Sequence, residues 1–196
     1  MMQRAFTLIE TIVAVGLTAL IMGVLGMLLV YFYRTNAFTL EQSIAVQQAR
    51  TGVEDAMTYL REASYGSDGS FPLENAATSS VTFFADMHNT GIVERITYAL
   101  EGNTFYRIVA EPSGNPLSYV NAALATTTIA TSVTNGTSTP VFRYFDHSGN
   151  ELFPPVNLVQ VASVETTIVV DVDVNRAPVA YTLSGGATLR NLREQP

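Results

Sequence analysis

The hydrophobic pattern divides the chain into three regimes. Residues 11–33 form one apolar run without a charged side chain. About 20 such residues suffice to cross the hydrocarbon core of a bilayer, so the run predicts a membrane-spanning helix. From residue 35 the pattern turns amphipathic, with apolar positions at Phe38, Leu40, Ile44, Ala49, Val53, Met57 and Leu60. From Ala49 onward their spacing of four, four and three predicts a continuing helix with one buried face. Gly52 weakens that helix by about 1 kcal/mol relative to Ala unless close packing requires it. Arg50 and Glu54 stand four apart, at salt-bridge spacing. The string SYGSDGS at 64–70 then ends the helix.

After residue 79 the period becomes two. SVTFFAD, IVERITYAL and TFYRIVAEP, separated by HNTG and EGN, predict a three-stranded meander in which Ile96, Tyr98 and Leu100 face inward. Residues 112–139 read as loop with one short strand near 127–133. VFRYFD–HSGN–ELF predicts a second hairpin. The longest alternation follows, with Val164, Thr166, Ile168, Val170, Val172 and Val174 on one face, then a turn at NRAP and a strand VAYTLS. Strand runs without βαβ spacing predict antiparallel sheet with the amphipathic helix packed on it, an α+β fold.

Composition narrows the chemistry. The formal net charge is −7, there is no lysine, and the ten arginines are scattered. No basic stripe is present, so a nucleic acid is not expected as a partner. Absence of cysteine excludes disulfides, thiol catalysis and Cys-ligated zinc. The two histidines, His88 and His147, fall in turn strings and read as solvated turn residues. Residues 86–94 have the outline of a calcium loop, with Asp86, Gly91 and Glu94. His88 and Thr90 stand where oxygen ligands belong and the Glu comes early, which favours a plain hairpin turn. Glu165, Asp171 and Asp173 read as a wet strand face, and the sequon at Asn135 as chance. No catalytic constellation, metal set or cofactor motif appears, and the expectation is a protein without enzymatic activity or cofactor.

The apolar run is too long for a secretory signal peptide, and its exit, YFYRTNAF, has no small-x-small cleavage site. Tyr31, Phe32 and Tyr33 suit a membrane interface. Hydropathy alone yields a single-pass anchor, but it leaves Glu10 at the edge of the run unexplained. The string AFTLIE, residues 5–10, after a short leader holding Arg4, resembles the class III signal of type IV pilins and pseudopilins. That resemblance implies cleavage between Ala5 and Phe6 by a prepilin peptidase on the cytoplasmic side. It also implies N-methylation of Phe6, and pairing of Glu10 with a subunit's amino terminus during filament assembly. Ala5 replaces the family's usual Gly, and Met27 stands where many pilins carry a helix-kinking Pro. FRYFDHSGN and the closing TLRNL further resemble minor pseudopilins of the J type and W-like minor pilins.

The expected organisation is therefore a leader (1–5), a membrane and filament-core helix (6–34), an amphipathic continuation (35–63) and a β-rich extracytoplasmic domain (64–196). The resemblance implies a pilin-like fold, an N-terminus facing the cytoplasm, and a place in the bacterial inner membrane before assembly. The implied partners are other pilin subunits, the inner-membrane assembly platform and lipid. The alternative is a membrane-anchored binding or adhesion domain that never polymerises.

Overall fold

The structure, a computed structural model, describes residues 7–120, 122–173, 175 and 180–190. One helix, α1 (Leu8–Arg61), opens the chain. The chain divides into two compact units, residues 1–43 and 44–196. In the first, α1 is long and apolar enough to cross a membrane. Its large apolar side chains from Leu8 to Tyr33 are exposed around the whole circumference. Thr11 and Thr18 turn their hydroxyls back onto the carbonyls of Leu8 (2.8 Å) and Ala14 (2.7 Å). Polar groups that would otherwise project from the apolar run are thus satisfied within the helix.

In the second unit, α1 buries Ala45, Ala49, Val53, Ala56 and Leu60. Two apolar positions ahead of Ala49 stay off this face. Leu40 and Ile44 are more than half exposed, and Ala45 takes the inward position instead. Counting back from Ala49 by one turn reaches residue 45, and a larger side chain one residue away points about 100° off that face. Small residues on the face let the helix lie close to the sheets. A Cβ on Gly52 would stand 2.5 Å from Ile129 Cγ2, so the glycine serves close packing, as its position suggested. A Cβ on Gly185 would meet Met57 Sδ at 2.1 Å. These two glycines are where α1 crosses each of the two sheets.

The first sheet is an antiparallel meander of β1 (Leu73–Ala76), β2 (Ser80–Ala85), β3 (Glu94–Glu101), β4 (Thr104–Ala110) and β5 (Leu124–Ala130), in that order. The expected three strands are its centre. β1 is an addition, and β5 begins three residues earlier than the expected strand. Ile96 and Tyr98 are buried as the alternation requires, while Leu100 is only partly covered at the edge of the core. The second sheet has β6 (Phe142–Phe145), β7 (Glu151–Leu152), β8 (Ser163–Val170) and β9 (Tyr181–Thr188), in the order β7-β6-β8-β9, also antiparallel. Phe83, Tyr98 and Phe105 stack across β2, β3 and β4, with centroids 6.1 and 5.8 Å apart, and Phe142 continues the row 6.2 Å beyond Phe105 into the second sheet.

β8 buries Val164, Thr166, Ile168 and Val170 in strict alternation, but it stops at Val170. Asp171 donates its N–H to Ser132 O and accepts the Asp173 N–H on its carboxylate, a turn that ends the ladder. Val174 and most of the expected NRAP turn lie outside the described residues. Asn135 ties the connection after β5 to β8. Its Nδ2 donates to Thr139 O (3.0 Å) and Thr167 O (2.9 Å), and its Oδ1 accepts the Val169 N–H (2.8 Å). The side-chain amide thus extends the edge of β8 as a backbone peptide would. The molecule is α+β, with one long N-terminal helix and antiparallel sheets.

Candidate functional site: the start of the apolar helix

Glu10 lies in the first turn of α1. Its Oε2 accepts both the N–H and the hydroxyl of Thr7, each at 2.9 Å, and Thr7 Oγ1 accepts the Glu10 N–H at 3.4 Å. Thr7 precedes the first helical residue, Leu8, so TLIE is a capping box: N-cap threonine and N3 glutamate satisfy each other's exposed amides. The S/T-x-x-E spacing was legible in the sequence. The capping box offers a local reason for a carboxylate at this edge, since a negative charge also suits the positive end of the helix dipole. No hydrogen bond to Oε1 is present among the described residues, so the outer oxygen keeps its accepting capacity. Ala5 and Phe6, where the resemblance places cleavage and methylation, lie outside the described residues.

Beyond Glu10, Gly16, Ala19, Gly23 and Gly26 recur at three, four and three residues and mark one face of α1. A Cβ at any of the three glycines would meet nothing within 4 Å. Small residues so spaced leave room for the close approach of another helix backbone. Large aliphatic side chains occupy the remaining surface.

The other singled-out residues serve local structure. Asp86 accepts the N–H groups of Thr90 (2.9 Å) and Gly91 (2.7 Å), which closes the β2–β3 turn around Asn89 and Gly91, both at positive φ. Glu94 is buried and accepts the Met87 N–H at 2.8 Å. Both carboxylates are thus engaged by the loop itself, in keeping with the hairpin reading. His88 is exposed in its turn, as expected, but it has a partner there. Its Nδ1 stands 2.8 Å from Glu94 Oε1, and it lines a cavity of about 680 Å³ with Tyr59, Arg107, Val109 and Glu111. Asp171 and Asp173 do not share a strand face with Glu165, because β8 ends before them. Glu165 instead joins Glu151 on Arg143, at 3.1 and 2.6 Å. The Asn135 amide is occupied in tying the β5–β6 connection to β8. Among the described residues no three His, Cys, Asp or Glu side chains stand together as a metal-binding set.

The sequence reading missed one polar cluster. Asp55 on α1 accepts the Tyr98 hydroxyl (2.9 Å) and Arg107 Nη1 (2.5 Å), and the guanidinium lies 5.9 Å from the centroid of the Tyr59 ring. Burial, and next the negative charge of Asp55, push the Tyr98 hydroxyl well above its ordinary range, so it stays a neutral donor. The signal was present. Arg107 is in phase with the inward-facing Phe105, and Asp55 stands three residues after Gly52, on the side of the helix that packs on the first sheet. Two charges, each on an apolar face, point to each other.

The His88–Glu94 contact carries a pH signature. The hydrogen bond to Glu94, with its negative charge, raises the His88 pKa above the ordinary 6.5. A raised folded-state value means stability fully present below 6.5 and lost as pH rises through the folded value. The hydrogen bond to Arg143 lowers Glu151 below 4.5, and that to Asn150 lowers Asp146 below 3.8. Their contribution is present above those ordinary values and disappears as pH falls through the lower folded ones. The melting temperature of the full chain in detergent is therefore expected to decline at both ends. His88→Ala removes the decline on the alkaline side of 6.5 and leaves the acid limb unchanged. An unaltered alkaline limb would show that the contact is not coupled to folding.

No protein-family model matches this chain, and no curated protein matches it in sequence.

Proposed function

We propose that this chain is a minor pilin or pseudopilin, a structural subunit of a type IV pilus-like or type II secretion filament. The observation that carries the reading is the bare apolar half of α1 behind the AFTLIE signal. Helix surface that is apolar all round needs a non-aqueous cover. Lipid covers it before assembly, and neighbouring helices cover it in a filament core, with the small-residue stripe admitting close approach. In this reading the chain sits in the inner membrane with its N-terminus toward the cytoplasm. A prepilin peptidase cuts between Ala5 and Phe6 and methylates Phe6. Glu10 keeps one oxygen on the Thr7 cap and offers the other to a freed amino terminus. The assembly platform and other pilins are its partners, the soluble unit is pilin-like, and no catalytic step is involved. The hairpin of β6 and β7, with its FRYFDHSGN string, supports a place among J-type or W-like minor subunits.

The test is mass spectrometry of the N-terminal peptide from a host carrying a prepilin peptidase. The expected peptide begins at N-methylated Phe6. A peptide retaining residues 1–5 would remove the filament reading. The capping box favours a second reading, in which Glu10 only starts a helix and α1 is the permanent anchor of a non-polymerising binding or adhesion domain. An intact leader is the result that reading expects.

A further inference from the structure

The end of the soluble unit where α1 stops is built from three loops, around residues 64–70, 86–93 and 112–120. They are tied together. The Tyr119 hydroxyl donates to Val93 O (2.5 Å) and accepts the Ser67 N–H (3.0 Å), and its ring centroid lies 5.0 Å from that of Phe84. Val93 N donates to Ser67 Oγ (3.2 Å). On this fixed base Ile92, Leu117, Val120 and Leu124 remain exposed, Val120 to 74%. Single exposed apolar side chains are ordinary, but several on adjoining loops mark a contact surface.

The surroundings are acidic. Asp68 shares a concavity with Val120, and Glu111 shares one with Leu124 and His88. Asp86 closes the middle loop. The nearby arginines are already paired, Arg95 with Glu74 and Arg107 with Asp55. His88 is held by Glu94. An anionic membrane or a nucleic acid would be repelled here, and an apolar surface bearing a cation would be attracted.

This chain carries such a surface elsewhere. Tyr31, Phe32 and Tyr33 are exposed, and the adjoining Arg34 makes no ion pair among the described residues. Aromatic side chains and arginine are the groups enriched at the centres of protein interfaces. We propose that residues 31–34 of one copy dock on the acidic, apolar loop end of a second copy, with Arg34 facing Glu111 and the aromatic rings covering Val120 and Leu124. The contact uses two different patches, so it is head-to-tail, and it propagates as a filament where its rotation does not close a ring. It rests on the filament reading only in that polymerisation supplies the second copy.

The absence of cysteine gives a clean test. Full-length chains bearing Tyr33→Cys are mixed with chains bearing Val120→Cys in lipid vesicles and mildly oxidised. A disulfide needs Cα atoms within roughly 7 Å, so a cross-link reports the contact itself. The expected yield is at least about tenfold above that of a control mixture of Tyr33→Cys with Phe153→Cys, Phe153 being equally exposed. Arg34→Glu in the first chain lowers the yield to the control level, and Glu111→Arg in the second restores it. A yield no higher than the control overturns the contact, as does a charge exchange without rescue. Filament formation is scored separately by electron microscopy. Filaments without the cross-link overturn this contact and leave the filament reading standing. A cross-link between chains that never form filaments supports the contact and removes that reading.

Discussion

Asp55→Ala is expected to destabilise the second unit, residues 44–196, by about 3 kcal/mol. Asp55 joins α1 to the first sheet through two donors, the Tyr98 hydroxyl and the Arg107 guanidinium. Tyr98 is fully buried and reaches no water on its own. Removing the carboxylate leaves a buried hydroxyl without its acceptor and a largely covered cation without its counter-charge. Breaking a fully buried ion pair costs roughly 3–5 kcal/mol. Here the two side chains keep 19% and 24% of their surface, so screening by water places the loss at the lower end. For a unit of this size, about 3 kcal/mol lowers the melting temperature by roughly 6–12 °C. Near-UV circular dichroism of the full chain in detergent reads this directly. Tyr98→Phe, which deletes only the hydroxyl, should cost about 1 kcal/mol. Asp55→Ala combined with Arg107→Met should recover part of the loss, because the cation that lacked a partner is also gone. A single-variant loss below 1 kcal/mol would show that the cluster is a surface pair without structural weight.

That cluster also shows where sequence patterning stops. Periodicity of 3.6 and 2.0 located α1 and the main strands, because burial of one face repeats along the chain. The same logic placed Val164, Thr166, Ile168 and Val170 correctly. Asp171 ends the ladder sooner than the alternation does, although Val172 still packs against the core. Ahead of Ala49 apolar character alone did not set the helix face, since Ile44 is exposed and helix phase selects Ala45. The second sheet's tie to the β5–β6 connection was not legible, because Asn135 and the Val133–Val170 bridge join segments far apart in sequence. At the candidate site, the apolar run and Glu10 were plain in the sequence. The Thr7 cap is equally readable from the T-x-x-E spacing, so the residues alone carry two explanations of Glu10, a local cap and a distant partner.

Those two explanations of Glu10 separate on one substitution. A capping box accepts Gln in place of Glu, because either side chain carries an oxygen to receive the N-cap amide. Pairing with an amino terminus requires a negative charge, and at the edge of hydrocarbon the loss of that charge is not replaced by water. Glu10→Gln is therefore expected to leave helix content, membrane insertion and processing at the parental level while abolishing incorporation into filaments. Thr7→Ala is expected to do the reverse. It removes the capping hydroxyl at a cost of about 1 kcal/mol to the first turn, but it keeps the Glu10 charge and retains incorporation. Incorporation is measured by immunoblotting of sheared filament fractions against membrane fractions, and helix content by far-UV circular dichroism. Normal assembly of Glu10→Gln would reduce Glu10 to a helix cap and take away the assembly contact on which the filament reading depends. Loss of assembly in both variants would mean that the first turn itself, rather than the charge on it, is what a neighbouring subunit meets.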